Sequence, residues 1–318
     1  MIRETFSLKS FWYDLFCLVS TFVGTIGSPF STFHFPSFPL SLRSFFFRNV
    51  YSNHETSAHL SLRDHFGVMF CEYYDDNLND SIGPFYLSWS DMLNVMAKMK
   101  IGKSSAGLIK PEHIIHGSTK PVFYLHLLFN SMIQHGIVVT DFSNCEIIPI
   151  VKDSQGDVSD SLNYRGITLG VLFSKLFEIA INEKISPYLM SDQLQFGFKG
   201  RTSTSHALYI LRSTVDCYTS RGSNVYVTSL DCSKAFDRIS HHGLFIKLIE
   251  RKIPLCLLLI LIYWHLNMSS IVKWGNSKSD PLDVPLGTKQ GGISSPQLFS
   301  IYIDDMIKSL HKKVLIVT

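Results

Sequence analysis

The stretch Ser229-Leu230-Asp231-Cys232-Ser233-Lys234-Ala235-Phe236-Asp237 decides how the chain is read. Before it, Val225 to Leu230 is short and rich in β-formers, which predicts a strand ending at Asp231. After it, helical periodicity resumes. An acid at the end of a buried strand is costly unless it is paired or bound to metal. Asp231 therefore reads either as the N-cap of the next helix or as a functional carboxylate. The local sequence leaves both open.

Working outward, two strand-like runs, Cys145 to Lys152 and Asn163 to Leu169, flank Asp153-Ser154-Gln155-Gly156-Asp157. That connection has the chemistry of a turn. A helix is expected from Gly170 to Ile185, stopped by Pro187. Residues 121–135 read as a buried helix. Another runs to Met99, capped by Ser88 or Ser90 and ended by Gly102-Lys103-Ser104. That ending is not a phosphate-binding P-loop, because Ala97 stands where its first glycine belongs. The apolar run Ile253 to Trp264 is too short to span a bilayer and reads as a buried helix. Strands and helices alternate without a strict βαβ rhythm, and no internal repeat is evident. The expected class is α+β.

The 318 residues leave room for one large domain or two medium ones. With 46% hydrophobic and 17% charged residues, the composition excludes a disordered or fibrous chain. A net charge of +3 does not by itself advertise nucleic acid. The six cysteines form no C-x-x-C pair, which argues against zinc ribbons and suits a reduced, intracellular setting. His113 and His116 have the spacing of a helical metal pair but lack an evident third ligand, and His241-His242 reads as surface.

Residues 1–50 differ from the rest. They hold 11 of the 24 phenylalanines, with Pro29, Pro36 and Pro39 interrupting any helix. Lys9 followed by Leu15 to Ile26 resembles a targeting segment, whereas Asp14 and the Phe/Ser/Pro tract point to a weakly ordered leader outside the fold. Residues 51–87 are polar, mixed and without a clear element.

Five blocks occur in order: Ile148-Pro149-Ile150-Val151-Lys152, Asn163 to Leu169, Gln195-Phe196-Gly197-Phe198, the Asp231 block, and Pro285-Leu286-Gly287-Thr288-Lys289-Gln290-Gly291-Gly292 with the residues to Phe299. Together they resemble the reverse transcriptase domain of non-LTR (LINE-type) retrotransposons, across residues 88–310. The resemblance implies a right-hand polymerase fold, of which 88–318 supply fingers and a partial palm without the thumb. It implies RNA-templated DNA synthesis from deoxynucleoside triphosphates, with an RNA template, a DNA primer and Mg²⁺ as partners. Asp231 then matches the first catalytic carboxylate, and the Cys232 carbonyl would add a metal ligand. Phe236 matches the bulky residue beneath the nucleotide sugar, and Asp237 a structural partner. Lys152 and Arg165 match residues that hold the triphosphate, as a point charge and a bidentate fork. Gln290 and Gly291 match the loop against template and nucleotide, where Gly287 and Gly292 also suit close approach. Phe198, Lys199 and Arg201 would touch the template backbone, and Thr202 to Thr204 read equally as a helix start.

The family also has a Tyr-x-Asp-Asp hairpin downstream of the Gln290 block. Tyr73-Tyr74-Asp75-Asp76 precedes Asp231, the wrong order. Tyr302-Ile303-Asp304-Asp305 lies too soon, and its periodicity places Asp304 and Asp305 on a solvated helix face. Two divalent ions about 4 Å apart repel by roughly 17 kcal/mol at an effective dielectric of about 20, which one carboxylate does not offset. The chain as written is thus expected not to polymerise, or to do so at trace level. Ala106-Gly107-Leu108 lacks the family's acid, and Gly166 stands where many members have proline. The sequence is compatible with a polymerase fragment in the cytoplasm or nucleus, an inactive remnant with residual RNA binding, or a leader-anchored membrane-associated protein.

Overall fold

A computed structural model of the chain describes residues 57–78, 85–107, 109–117, 119–232 and 234–314. The expectations for residues 1–50, targeting among them, lie outside this range. The first element is α1 (Ser57–Leu78), in the region read as having none. Phe66, Phe70 and Tyr74, each four apart, give it one buried stripe among charged neighbours. Phe66 meets Phe245 at 5.4 Å between ring centroids. The Tyr73 hydroxyl donates to the Ile253 carbonyl at 2.7 Å. The Tyr73-Tyr74-Asp75-Asp76 string is therefore helix and packing, as its position in the chain implies.

Then follow α2 (Trp89–Ala97), α3 (Pro111–Ile115), α4 (Thr119–His135) and α5 (Thr140–Ser143). Ser88 caps α2 in a reciprocal box. Its hydroxyl accepts from the Asp91 amide at 3.1 Å, and the Asp91 carboxylate accepts from the Ser88 amide at 2.8 Å. α4 buries Val122, Leu125, Leu128, Phe129, Met132 and Ile133 on one stripe.

β1 (Asn144–Val151) and β2 (Tyr164–Gly170) form the expected antiparallel hairpin, in a register that sets Ile150 opposite Arg165. α6 (Leu172–Ile185) and α7 (Thr204–Thr219) precede α8 (His241–Glu250) and α9 (Leu255–Leu266). α9 is buried nearly all round, as its uninterrupted apolar sequence requires. Its Trp264 and the Phe129, Phe142 and Phe177 rings form an aromatic core around Phe177, with centroids 5.0 to 6.2 Å away. β3 (Ser269–Trp274), β4 (Ser277–Lys278) and β5 (Leu282–Asp283) come next, and α10 (Ser295–Val314) ends the described chain.

The sheet order is β2-β1-β3-β4, with β5 also on β3. β3 runs parallel to β1 and completes a mixed sheet, so the class is α+β. The sequence reading did not include β3, whose six residues are half polar. Among the described residues no helix is long and apolar enough to cross a membrane.

Two expectations about elements are corrected. Val225 to Leu230 is not a strand, and Tyr226 and Leu230 stand 90% and 75% exposed. β-propensity expresses itself only where a neighbouring strand takes up the backbone groups, and no described residue pairs with this segment. His241 and His242 are buried, because they begin α8 where it packs between α1 and α9.

Candidate functional site

The hairpin positions its two cations through its turn. The Lys152 amide donates to the Asn163 carbonyl at 2.8 Å, carrying the ladder one rung past Val151. The Asn163 side-chain amide donates to the carbonyls of Asp153 (3.0 Å) and Asp157 (3.2 Å), which locks the connection. Arg165 is exposed on β2, and the Lys152 ammonium donates to the Leu162 carbonyl at 2.8 Å.

The Gln290 loop docks on this strand. The Thr168 amide, three residues from Arg165, donates to the Gln290 carbonyl at 2.8 Å. On its other side, the amides of Gly287 and Thr288 donate to the carbonyls of Ile239 and Phe236 at 2.8 and 2.9 Å. Gly287 adopts φ +90°, and a Cβ there would lie 2.9 Å from the Phe236 carbonyl oxygen and 3.0 Å from the Asp237 oxygen. Only glycine fits both demands. Gly287→Ala should cost at least about 2 kcal/mol, by left-handed strain plus a backbone clash. Gly275→Ala, at φ +60° with open space around it, should cost about half as much. Urea unfolding of the two variants compares them directly.

The same turn holds Phe236 in an aromatic trio. Its ring meets Phe299 of α10 at 5.2 Å and Phe198 at 6.0 Å. Phe198 is 57% exposed and holds φ +57°, a conformation unfavourable for a bulky residue. The residues assigned to sugar and template thus come into contact. Asp231 and Cys232 lie exposed in the irregular segment that leads into this turn, so the argument from an acid on a buried strand does not apply to Asp231. The Asp237 side chain is exposed, while its backbone packs against Gly287. Lys199 donates its ammonium to the carbonyls of Ser191 (3.3 Å) and Asp192 (3.1 Å), so it ties its own loop together. Arg201 is exposed, at φ +66°. Ser203 is the N-cap of α7, none of whose residues is buried.

Asp304 is the clearest departure from expectation. It lies on a helix, as the periodicity indicates, but it is completely buried. Its carboxylate accepts from Arg251 at 2.8 Å, Lys308 at 2.7 Å and the Asp192 amide at 2.7 Å. Burial pushes this carboxyl up, yet those donors outweigh it and hold it below its ordinary value. Asp305 is half-exposed and pairs with Lys247. The Tyr302 hydroxyl accepts from the Ser240 amide at 3.4 Å. This Tyr-x-Asp-Asp string is a structural tie. It joins α10 to α8 and, through Asp192, to the loop that presents Phe198.

Sequence reasoning also missed the support beneath the Gln290 loop. His241 donates from Nε2 to the Gly287 carbonyl at 2.7 Å and meets His265 edge-on at 5.3 Å. Lys289 donates to the Phe142 carbonyl at 3.2 Å and lies 4.6 Å over the Trp264 ring. The Glu178 carboxylate accepts from the amide and hydroxyl of Ser294 at 3.0 and 2.8 Å.

Burial lowers the imidazole of His241 to about 4 and, with His241 beside it, that of His265 to about 3. Both start near 6.5 in the unfolded chain, so below that pH the unfolded state takes up protons first. Their contribution is therefore complete above about pH 6.5 and is lost as pH falls toward 4. For His241 alone the loss is on the order of 3 kcal/mol. Urea midpoints should decline through this window, before the carboxylates titrate. A flat profile between about pH 6.5 and 5 contradicts this assignment.

The fit to divalent metal is partial. A hard cation takes six or more oxygen ligands. At Asp231 the chain offers one carboxylate and the Cys232 carbonyl, and the described residues contain no cluster of three ligating side chains. These groups do not by themselves compose a two-ion site.

The reverse transcriptase (RNA-dependent DNA polymerase) family matches residues 152–318, which include both the hairpin cations and the loops around Phe236 and Gln290. The chain belongs to that family. Several proteins it is similar to are named as RNA-directed DNA polymerases of transposons or mobile elements. It is 23% identical over 265 residues to a probable RNA-directed DNA polymerase from transposon BS of Drosophila melanogaster, covering 78% of this chain and 29% of the relative. It is 28% identical over 195 residues to the RNA-directed DNA polymerase from mobile element jockey of Drosophila funebris, covering 58% of this chain and 20% of the relative. Protein YkfC of Escherichia coli is 28% identical over 160 residues, covering 48% of this chain and 38% of that protein. The chain thus spans well under half the length of each.

Proposed function

We propose that residues 88–318 form the fingers and part of the palm of a polymerase that copies RNA into DNA. The supporting observation is the double anchoring of the Gln290 loop. One side bonds to β2, which carries Arg165, and the other to the turn that carries Phe236. That loop ties together segments far apart in sequence. Here Lys152 and Arg165 hold the triphosphate of a deoxynucleotide. Phe236, backed by Phe299, stands beneath the sugar and excludes a 2′-hydroxyl. Gln290 and Gly291 lie against the base pair being formed, and Phe198 and Arg201 face the template. Asp231 and the Cys232 carbonyl would hold Mg²⁺, which supplies charge neutralisation at the reacting phosphate. The five free cysteines among the described residues suit a reduced compartment, the cytoplasm or nucleus.

Primer extension on an RNA template tests this reading. The purified chain should incorporate deoxynucleotides at trace level at most. Any longer product of the same reading frame that adds a second aspartate pair should incorporate them well, and should prefer them to ribonucleotides. Full activity of the chain alone, or none in such a longer product, contradicts it.

A further inference from the structure

Between Arg221 and Asp231 the chain from Gly222 to Leu230 carries neither charge nor proline. It leaves α7 at a defined point. Gly222 adopts φ +79°, and the Ser223 amide donates to the Tyr218 carbonyl at 3.0 Å, which ends the helix. Val225-Tyr226-Val227-Thr228 consists of strong strand formers. Yet among the described residues no backbone amide or carbonyl from Asn224 to Leu230 has a backbone partner. Tyr226, Val227 and Leu230 are all exposed. An uncharged, proline-free run of strand formers with a free backbone is a template for another strand.

The helix that leads into this run is uncovered in the same way. Leu208, Leu211, Val215 and Tyr218 recur at the spacing of one helix face, and α7 buries none of them. A contiguous apolar stripe left on the surface marks an interaction site.

The flanking charges decide which strand fits. Arg221 and Asp231 each stand five residues from Tyr226. Both are exposed, and neither has an ion pair among the described residues. Two copies paired antiparallel about a two-fold axis at Tyr226 set Arg221 of each opposite Asp231 of the other, and Val225 opposite Val227. Parallel pairing in register would instead set Arg221 against Arg221 and Asp231 against Asp231, which repel. The segment is thus complementary to itself in one direction and one register.

We propose that two copies of this chain associate through residues 222–230, as an antiparallel strand pair centred on Tyr226 and closed at both ends by Arg221 and Asp231. The α7 stripe adds apolar contact. In the dimer Arg221 occupies the carboxylate proposed to hold Mg²⁺, so association and metal binding exclude one another.

Sedimentation velocity of the intact chain, in metal-free buffer from about 1 to 100 μM, tests this. A species of twice the monomer mass should grow with concentration, and assembly should stop there because a two-fold contact is closed. Tyr226→Lys sets two like charges opposite each other on the axis and should weaken association at least tenfold. Arg221→Asp alone, and Asp231→Arg alone, should each weaken it at least tenfold, because both end pairs become repulsive. An equimolar mixture of these two single variants should associate within about threefold of the parent, because every end pair is then attractive again. Unchanged melting curves establish that each variant is folded.

A monomer at every concentration overturns the proposal. So does association that Tyr226→Lys leaves intact, which places the contact elsewhere. If the two charge variants associate alone as the parent does, or their mixture fails to recover, the antiparallel register is overturned.

Discussion

Asp304→Ala is expected to lower stability by about 3 to 5 kcal/mol. The carboxylate is completely buried and accepts from three donors, so its removal leaves each without its partner. Lys308 is half-exposed and regains water. Arg251 is only 16% exposed in its side chain and remains a buried charge with a weakened environment. The Asp192 amide loses its acceptor as well. Small domains are typically stable by about 5 to 15 kcal/mol, so this one change removes a large share. Asp305→Ala is the natural comparison. Its pair with Lys247 is half-exposed, and its loss should cost no more than about 1 kcal/mol. Urea unfolding gives both numbers. Equal effects at the two positions contradict the buried tie. The larger effect should also reach the site, because the Asp192 loop presents Phe198 to Phe236.

Asp231→Asn is expected to reduce deoxynucleotide incorporation by about 10³-fold or more, in whichever product of the reading frame supports it. That corresponds to about 4 kcal/mol of transition-state stabilisation. The substitution keeps shape and hydrogen-bonding capacity but removes the negative charge that a divalent cation requires. Because Asp231 is exposed, folding should be unaffected and the loss should appear in activity alone. Loss of stability with activity intact would give the residue a structural role instead.

The parts of the fold legible in the sequence are those settled by local pattern. Asp153 to Asp157 between two β-rich runs is enough to fix the hairpin. The apolar periodicity of α4 and α6, and the uninterrupted apolar run of α9, are enough to fix those helices. The parts not legible depend on distant partners. Asp304 looks solvated on its own helix, and only Arg251 and the Asp192 amide, brought in from other elements, bury it. His241 looks like surface until Gly287 and His265 are set against it. α1 is masked by charges interleaved with Phe66, Phe70 and Tyr74. Val225 to Leu230 shows the reverse, a segment with strand propensity and no neighbour among the described residues to express it. The candidate site divides in the same way. The residue types at Lys152, Arg165, Phe236 and Gln290 are visible as motifs, whereas the bonds that bring Gln290 to Thr168 and Gly287 to Ile239 are not.

The most direct test of the proposed site is to label it with a deoxynucleotide. The chain would be incubated with Mg²⁺, an RNA template, a primer with a blocked 3′ end and a photoreactive deoxynucleoside triphosphate, then irradiated and its peptides mapped by mass spectrometry. Label is expected on peptides containing Arg165, Phe236 and Gln290, displaced by unlabelled deoxynucleotide and much less by ribonucleotide. Label confined to other segments, or label that no nucleotide displaces, would contradict it.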